Sequence, residues 1–200
     1  MRVRSISLIL ALFFGACGPS CSPAPRIQSE LQAQSSSPAH SMAKALERPG
    51  LPNLHRVTPL LYRGGQPTRE GFFELGRMGV KSVVSLRSLH ADSIPIDANL
   101  HYERISFKAW HPEDEDVVRF LRIVTDPSRQ PVFVHCQYGS DRTGMMIAIE
   151  RVALEGWTKD EAIAEMTQGE FGFHPEWQNM VKYVRDVDVD KLAREAGVKR

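Results

Sequence analysis

Between about Leu51 and Asp186 the chain alternates short apolar runs with longer stretches whose apolar residues recur at helical spacing. "VKSVVSLR" and "QPVFVHC" are brief, apolar and rich in β-branched residues, which predicts buried strands. "TPLLYRGGQP" reads as a short strand ending in a glycine turn, and "LHYERISF" as another strand. Thr68 can cap a helix from Glu70 to Met78 that presents Phe72, Phe73, Leu75 and Met78, and Gly79 stops it. "HPEDEDVVRFLRIVTD" predicts a helix with acids in its first turn and Val117, Phe120, Leu121 and Val124 facing inward. "RTGMMIAIERVALEG" is apolar on almost every side, so it belongs at the centre of the domain. Two more helices, about Lys159 to Gln168 and Pro175 to Asp186, complete the pattern. Strands alternating with helices imply an α/β fold: a mainly parallel central sheet covered on both faces.

The first residues follow a different rule. "MRVR" is a short basic segment, and "SISLILALFFGACG" follows as an apolar run too brief for a comfortable membrane span. This is a secretory leader pattern. Its "FGAC" ending resembles the lipobox of bacterial lipoproteins, with Phe14 where a leucine is usual, and implies lipidation at Cys17. The reading is a leader over 1–17, a Ser/Pro/Ala/Gln-rich tether over 18–50, a folded domain over 51–190 and a tail over 191–200. The chain is therefore expected to be exported and held to a bacterial membrane, periplasmic or at the cell surface, by lipid on Cys17.

Composition removes several alternatives. A 42% hydrophobic and 24% charged chain can build an ordinary core. A formal charge of +1 gives no support to nucleic-acid binding. Three cysteines, Cys17, Cys21 and Cys136, form neither a disulfide framework nor a zinc pattern.

The stretch "HCQYGSDRTG", His135 to Gly144, joins the last predicted strand to the central helix. A loop there lies at the carboxyl end of the sheet, where open α/β folds bind ligands. Its backbone N–H groups and the helix N-terminus make an anion nest, and Arg142 offers a planar fork to two oxygens. Gly139 relieves the bend and Gly144 lets the helix start pack closely. Cys136 in that field is expected to titrate below the ~8.5 of a free thiol, as a nucleophile beneath a bound phosphate.

His135-Cys136-x5-Arg142-Thr143 resembles the signature of cysteine-dependent protein tyrosine phosphatases, especially the dual-specificity branch. "LYRGGQPTREGFFELGRMGVKSVVSLR" and "GWTKDEAIAEMTQGEFGFHPEW" are similar to the flanks of small bacterial members. The resemblance implies a protein-tyrosine-phosphatase-like fold and an enzyme needing no metal or cofactor. It implies Cys136 as nucleophile, Arg142 as clamp, Thr143 as helper in thiolate release and His135 as the residue that tunes the thiol from behind. A carboxylic acid from a separate loop completes the set. "AWHPED" resembles the acid loop of the larger enzymes and gives Asp114, with Glu113, Asp116 or His111 as alternatives and Asp92 a distant one. Favouring a helix N-terminus is the competing role of that acidic run.

Gln137, Tyr138, Gly139, Ser140 and Asp141 line the expected substrate cradle, Asp141 chiefly for loop shape, with Arg63 and Arg87 as further substrate contacts. Lys108 and Gln66 are lesser candidates for the rim, Trp110 for gating, and His174 for packing near a helix start. The expected substrates are phosphotyrosine, phosphoproteins or small phosphomonoesters. Two alternatives stay open: a phytase-like inositol phosphate phosphatase, which the lysine-free loop disfavours, and a phosphate-binding pseudophosphatase.

Overall fold

The structure is a computed structural model and describes residues 40–198. The leader with Cys17 and the tether as far as residue 39 lie outside the described residues, as do residues 199–200 of the tail.

Among the described residues six strands form one sheet in the order β1-β2-β3-β6-β4-β5. They are β1 (Lys44–Ala45), β2 (His55–Thr58), β3 (Leu61–Gly64), β4 (Ser82–Ser85), β5 (His101–Arg104) and β6 (Val132–His135). The pairs β3–β6, β6–β4 and β4–β5 are parallel, whereas β1 and β2 add antiparallel pairs at one edge. The mainly parallel sheet expected from the alternation is present.

Helix α1 (Arg69–Arg77) covers one face, capped by Thr68 Oγ1, which accepts from the Gly71 N–H. Phe72 and Leu75 pack there with Val83 and Phe133. The opposite face carries α2 (Asp114–Thr125), α3 (Asp141–Leu154), α4 (Lys159–Gln168), α5 (Gln178–Asp186) and α6 (Val189–Glu195). Val84, Val132 and Val134 meet Phe120, Leu121, Met145 and Ile149 in the larger core. Each buried strand thus splits its apolar residues between two cores, as the two-residue side-chain repeat requires. The central position read for α3 is observed: Met145 through Arg151 are all buried.

The folded region is longer at both ends than the sequence suggested. Residues 40–50, read as tether, are held in place: β1 pairs with β2, the Ala43 N–H donates to Glu165 Oε1 at 2.8 Å, and His40 stacks on Trp157 with centroids 4.9 Å apart. Residues 191–195, read as tail, belong to α6, whose Leu192 and Ala193 are buried. Both segments are too short and too polar to show a periodicity, so only tertiary contacts reveal them. β3 lies within the strand read from "TPLLYRGGQP", whereas its hairpin partner β2 was not read, for the same reason. Among the described residues no helix is long and apolar enough to cross a membrane.

In register, Gly64 and Ser85 lie on either side of His135. The loops leaving β3, β4 and β6 therefore emerge together at one end of the sheet.

Candidate active site

The loop from Cys136 to Ser140 sits at that end, and every one of its carbonyls is tied away from the loop's centre. The Cys136 oxygen lies 3.1 Å from His135 Nδ1. The Gln137 oxygen accepts from the Gln66 N–H at 3.1 Å, and the Tyr138 oxygen from Asn53 Nδ2 at 2.9 Å. The Gly139 oxygen accepts from Arg63 Nη2 at 2.8 Å. The Ser140 oxygen accepts from the Gly144 N–H at 2.8 Å and weakly from Arg63 at 3.4 Å. A trans peptide points its N–H opposite its C=O. Five outward carbonyls therefore turn the intervening N–H groups inward, which makes an anion nest.

Three features finish the cradle. Cys136 is buried, and its Sγ accepts from the Gly139 N–H at 3.3 Å. Ser140 occupies the N-cap of α3 without capping it, because its Oγ donates to the Phe171 carbonyl at 2.7 Å. The first N–H groups of α3 are thus left to an anion. Arg142, half-buried, donates from Nη1 to the Leu86 carbonyl at 3.3 Å, which seats its guanidinium against the wall behind β4.

Gly139 is required twice over. Its φ is +78°, and an added Cβ would lie 2.4 Å from the Gly64 carbonyl carbon. Asn53, at φ +54°, spans from loop to loop: its Nδ2 also donates to the Phe171 carbonyl at 2.9 Å. Nothing in the sequence pattern around Asn53 signalled this. Gln137 and Tyr138 are exposed on the rim. Thr143 is buried, and among the described residues its Oγ1 has no hydrogen-bond partner.

Arg63 was expected to reach substrate, and its position corrects that reading. It is 1% exposed, with its guanidinium carbon 3.7 Å from the Phe171 ring centroid and its donors on the loop's carbonyls. Burial draws it down to about 10, so it remains charged at neutral pH. Arg63 braces the loop from behind. Arg87 is likewise engaged on the protein: Nη1 donates to Gln66 Oε1 at 2.8 Å and to Asp92 Oδ1 at 2.9 Å.

Asp141, at the start of α3, is held by a partner the sequence did not identify. It accepts from the His174 N–H at 2.8 Å and lies 2.9 Å from His174 Nδ1. His174 is therefore more than packing. Its pKa is raised, first by this hydrogen bond and then by the charge of Asp141.

The acidic run divides by helix phase. Asp114 accepts from Tyr183 Oη at 2.7 Å and faces α5 and α6. Burial and Asp114 together push the Tyr183 phenol up. Glu113 lies 3.4 Å from Lys108 Nζ and 3.9 Å from His111 Nε2. Asp116 lies two positions on from Asp114, which is the opposite flank of the helix. Burial, then Glu113, pushes its carboxyl up. Asp92, far from this run in sequence, is buried against His135 with its Oδ2 3.0 Å from Nε2. Trp110 is exposed on the segment after β5.

The family model described as "DSP-PTPase phosphatase fused to NAD+ Kinase" matches residues 52–182. Dual specificity protein phosphatase TpbA of Pseudomonas aeruginosa (strain UCBPP-PA14) is 34% identical over 141 residues. That match covers 70% of this chain and 65% of TpbA, so the chain spans about two thirds of that relative's length. Inositol diphosphatase DSP5 of Arabidopsis thaliana is 26% identical over 152 residues, covering 70% of this chain and 72% of that protein. The crystal structure of a cysteine-to-serine form of P. aeruginosa TpbA in complex with pTyr superposes with a TM-score of 0.70 at 30% identity. It covers 82% of this chain and 100% of that one. A thiol seated in an anion nest at the end of a parallel sheet thus agrees with the family match, and the chain belongs to the dual-specificity-like DSP-PTPase family of cysteine-dependent protein tyrosine phosphatases.

Proposed function

We propose that the chain is an exported phosphatase that hydrolyses phosphomonoesters, phosphotyrosine in proteins foremost, through a phosphocysteine intermediate. One observation carries the reading: all five carbonyls from Cys136 to Ser140 are bonded outward, so the amides converge on the side where Sγ sits. Such a nest suits three equatorial phosphoryl oxygens above a sulfur nucleophile.

In this mechanism the Cys136 thiolate attacks phosphorus, and the S–P bond forms as the ester O–P bond breaks. Arg142 and the loop amides hold the equatorial oxygens. A carboxyl of the acidic run protonates the departing oxygen, then as carboxylate takes a proton from the water that cleaves S–P. We assign that role to Asp116, whose raised carboxyl suits a proton donor, in place of Asp114, which is bonded to Tyr183. Thr143 Oγ1, buried and without a partner, is free to donate to the leaving sulfur. The chemistry requires no metal or cofactor.

The TpbA complex with pTyr supports a phosphotyrosine substrate. The relative DSP5, an inositol diphosphatase, favours a second reading in which inositol phosphates are the substrate. The loop between Cys136 and Arg142 holds no lysine, which favours the first. The leader pattern ending at Cys17 supports export and lipid anchoring.

The test compares a phosphotyrosine peptide, p-nitrophenyl phosphate and inositol hexakisphosphate on the purified full chain and on Cys136→Ser. Turnover of the first two, abolished in the variant, with a ³²P-labelled protein trapped by acid quench, is expected. Phosphate binding without turnover of any of them would leave only a pseudophosphatase. Labelled palmitate incorporation, lost in Cys17→Ala, checks the anchor.

A further inference from the structure

Beneath the nucleophile lies a buried chain of groups that the mechanism above leaves unused. Asp92 lies on the segment that follows β4, and its side chain is fully buried. Its Oδ2 is 3.0 Å from His135 Nε2. Its Oδ1 accepts from Arg87 Nη1, which Gln66 Oε1 also holds. Its backbone N–H donates to Tyr102 Oη at 3.0 Å, which fixes the loop. On the other side of the ring, His135 Nδ1 is 3.1 Å from the Cys136 carbonyl oxygen.

The hydrogens follow from the acceptors. A carbonyl oxygen accepts and never donates, so Nδ1 carries a proton. Burial by itself would raise the Asp92 carboxyl, but the bonds from His135, Arg87 and Ser85 outweigh it and hold it down at about 2. Arg87 Nη1 donates to the same carboxyl at 2.9 Å, which suits its ionised form, and an ionised carboxylate only accepts, so the pair at Oδ2 calls for a proton on Nε2 as well. Gly64 and Ser85 flank His135 in the sheet, Phe133 stacks on it at 5.7 Å, and the cation on the other oxygen of Asp92 is Arg87.

We propose that Asp92 is a positioning residue that, anchored by Arg87, keeps His135 as an imidazolium directly behind Cys136 and so favours the thiolate there. This rests on Cys136 being the nucleophile assigned above. Asp92 acts through His135 and touches no reacting atom. The same burial removes it as a proton donor to substrate.

The test begins with the wild-type full chain. ¹⁵N-histidine NMR from about pH 6.5 to about pH 8.5 is expected to show both nitrogens of one ring protonated throughout, a signal lost in His135→Asn. In parallel, the pH profile of iodoacetamide inactivation reads the thiol directly. Asp92→Asn is expected to move that profile upward by about one unit or more, a ~10-fold loss of alkylation on its acid limb. Asp92→Glu is expected to restore part of it. A neutral His135 ring in the wild type overturns the proposal even if Asp92→Asn fails to fold. An unchanged profile in a folded Asp92→Asn overturns it too. Alkylation needs no turnover, so a protein that behaves as expected here yet hydrolyses no phosphate ester would sink the phosphatase reading alone.

Discussion

His174 Nδ1 lies 2.9 Å from Asp141 Oδ2, and the backbone N–H of the same histidine donates to Asp141 Oδ1 at 2.8 Å. The residue directly before Arg142 is therefore fixed at two points by the loop between α4 and α5. Tyr138, on the rim, meets the same ring at 5.8 Å between centroids. The residue next to Arg142 is thus held by a histidine that the loop motif does not contain.

This pair makes stability depend on pH in a set direction. The folded pKa of His174 is raised above its unfolded value, because its hydrogen bond to Asp141 and that carboxylate's charge both favour the protonated ring. The stabilisation is full below the ordinary histidine value of ~6.5 and fades as pH rises through the higher folded value. Melting temperatures of wild type and His174→Gln should differ most at about pH 5.5 and converge toward about pH 8.5. A constant gap would show that the pair does not titrate with folding. The imidazole is partly exposed, so added salt should shrink the effect.

Arg63 offers a test of bracing against substrate contact. Arg63→Met leaves the buried Gly139 carbonyl without its donor, which should cost on the order of 1–3 kcal/mol in urea denaturation. The turnover of p-nitrophenyl phosphate should fall through kcat, because the nest loses its shape. A variant of full stability with a raised KM alone would place Arg63 on the substrate instead.

Gly139→Ala combines a positive φ with a Cβ 2.4 Å from the Gly64 carbonyl carbon. Backbone strain of this kind amounts to ~1–3 kcal/mol before any clash is added. We expect a folded protein with a lowered Tm and hydrolysis reduced by about two orders of magnitude or more. Near-normal rates would mean that the loop adapts without its glycine.

The acidic run separates by leaving group. Asp116→Asn should lower hydrolysis of an alkyl phosphate by ~10²-fold or more, and spare p-nitrophenyl phosphate, whose leaving group needs little protonation. Asp114→Asn should leave that ratio unchanged and weaken the contact with Tyr183, visible as a lower Tm. The reverse pattern would return the donor role to Asp114.

The Cys136-to-Thr143 motif was legible because its chemistry is contiguous: strand, loop and helix start follow one another along the chain. The buried runs of β4 and β6 and the amphipathic helices were legible because burial on a regular backbone imposes a period. The acidic run was visible too, but the helix phase that turns Asp114 toward Tyr183 depends on where α2 packs. Short, polar β1, β2 and α6 carry no period of their own.

By itself, then, the sequence determined the sheet's buried strands, the alternating fold class and the position of a cysteine and an arginine around one loop. Tertiary structure decided which groups hold that loop open. Asn53, Arg63, Asp92 and His174 come from four separate segments, and each reaches the loop or its flanks across long stretches of chain. A hydrogen bond between distant residues leaves no periodicity in either neighbourhood, so single polar residues become readable only when folding brings donor and acceptor within 3 Å or so of each other.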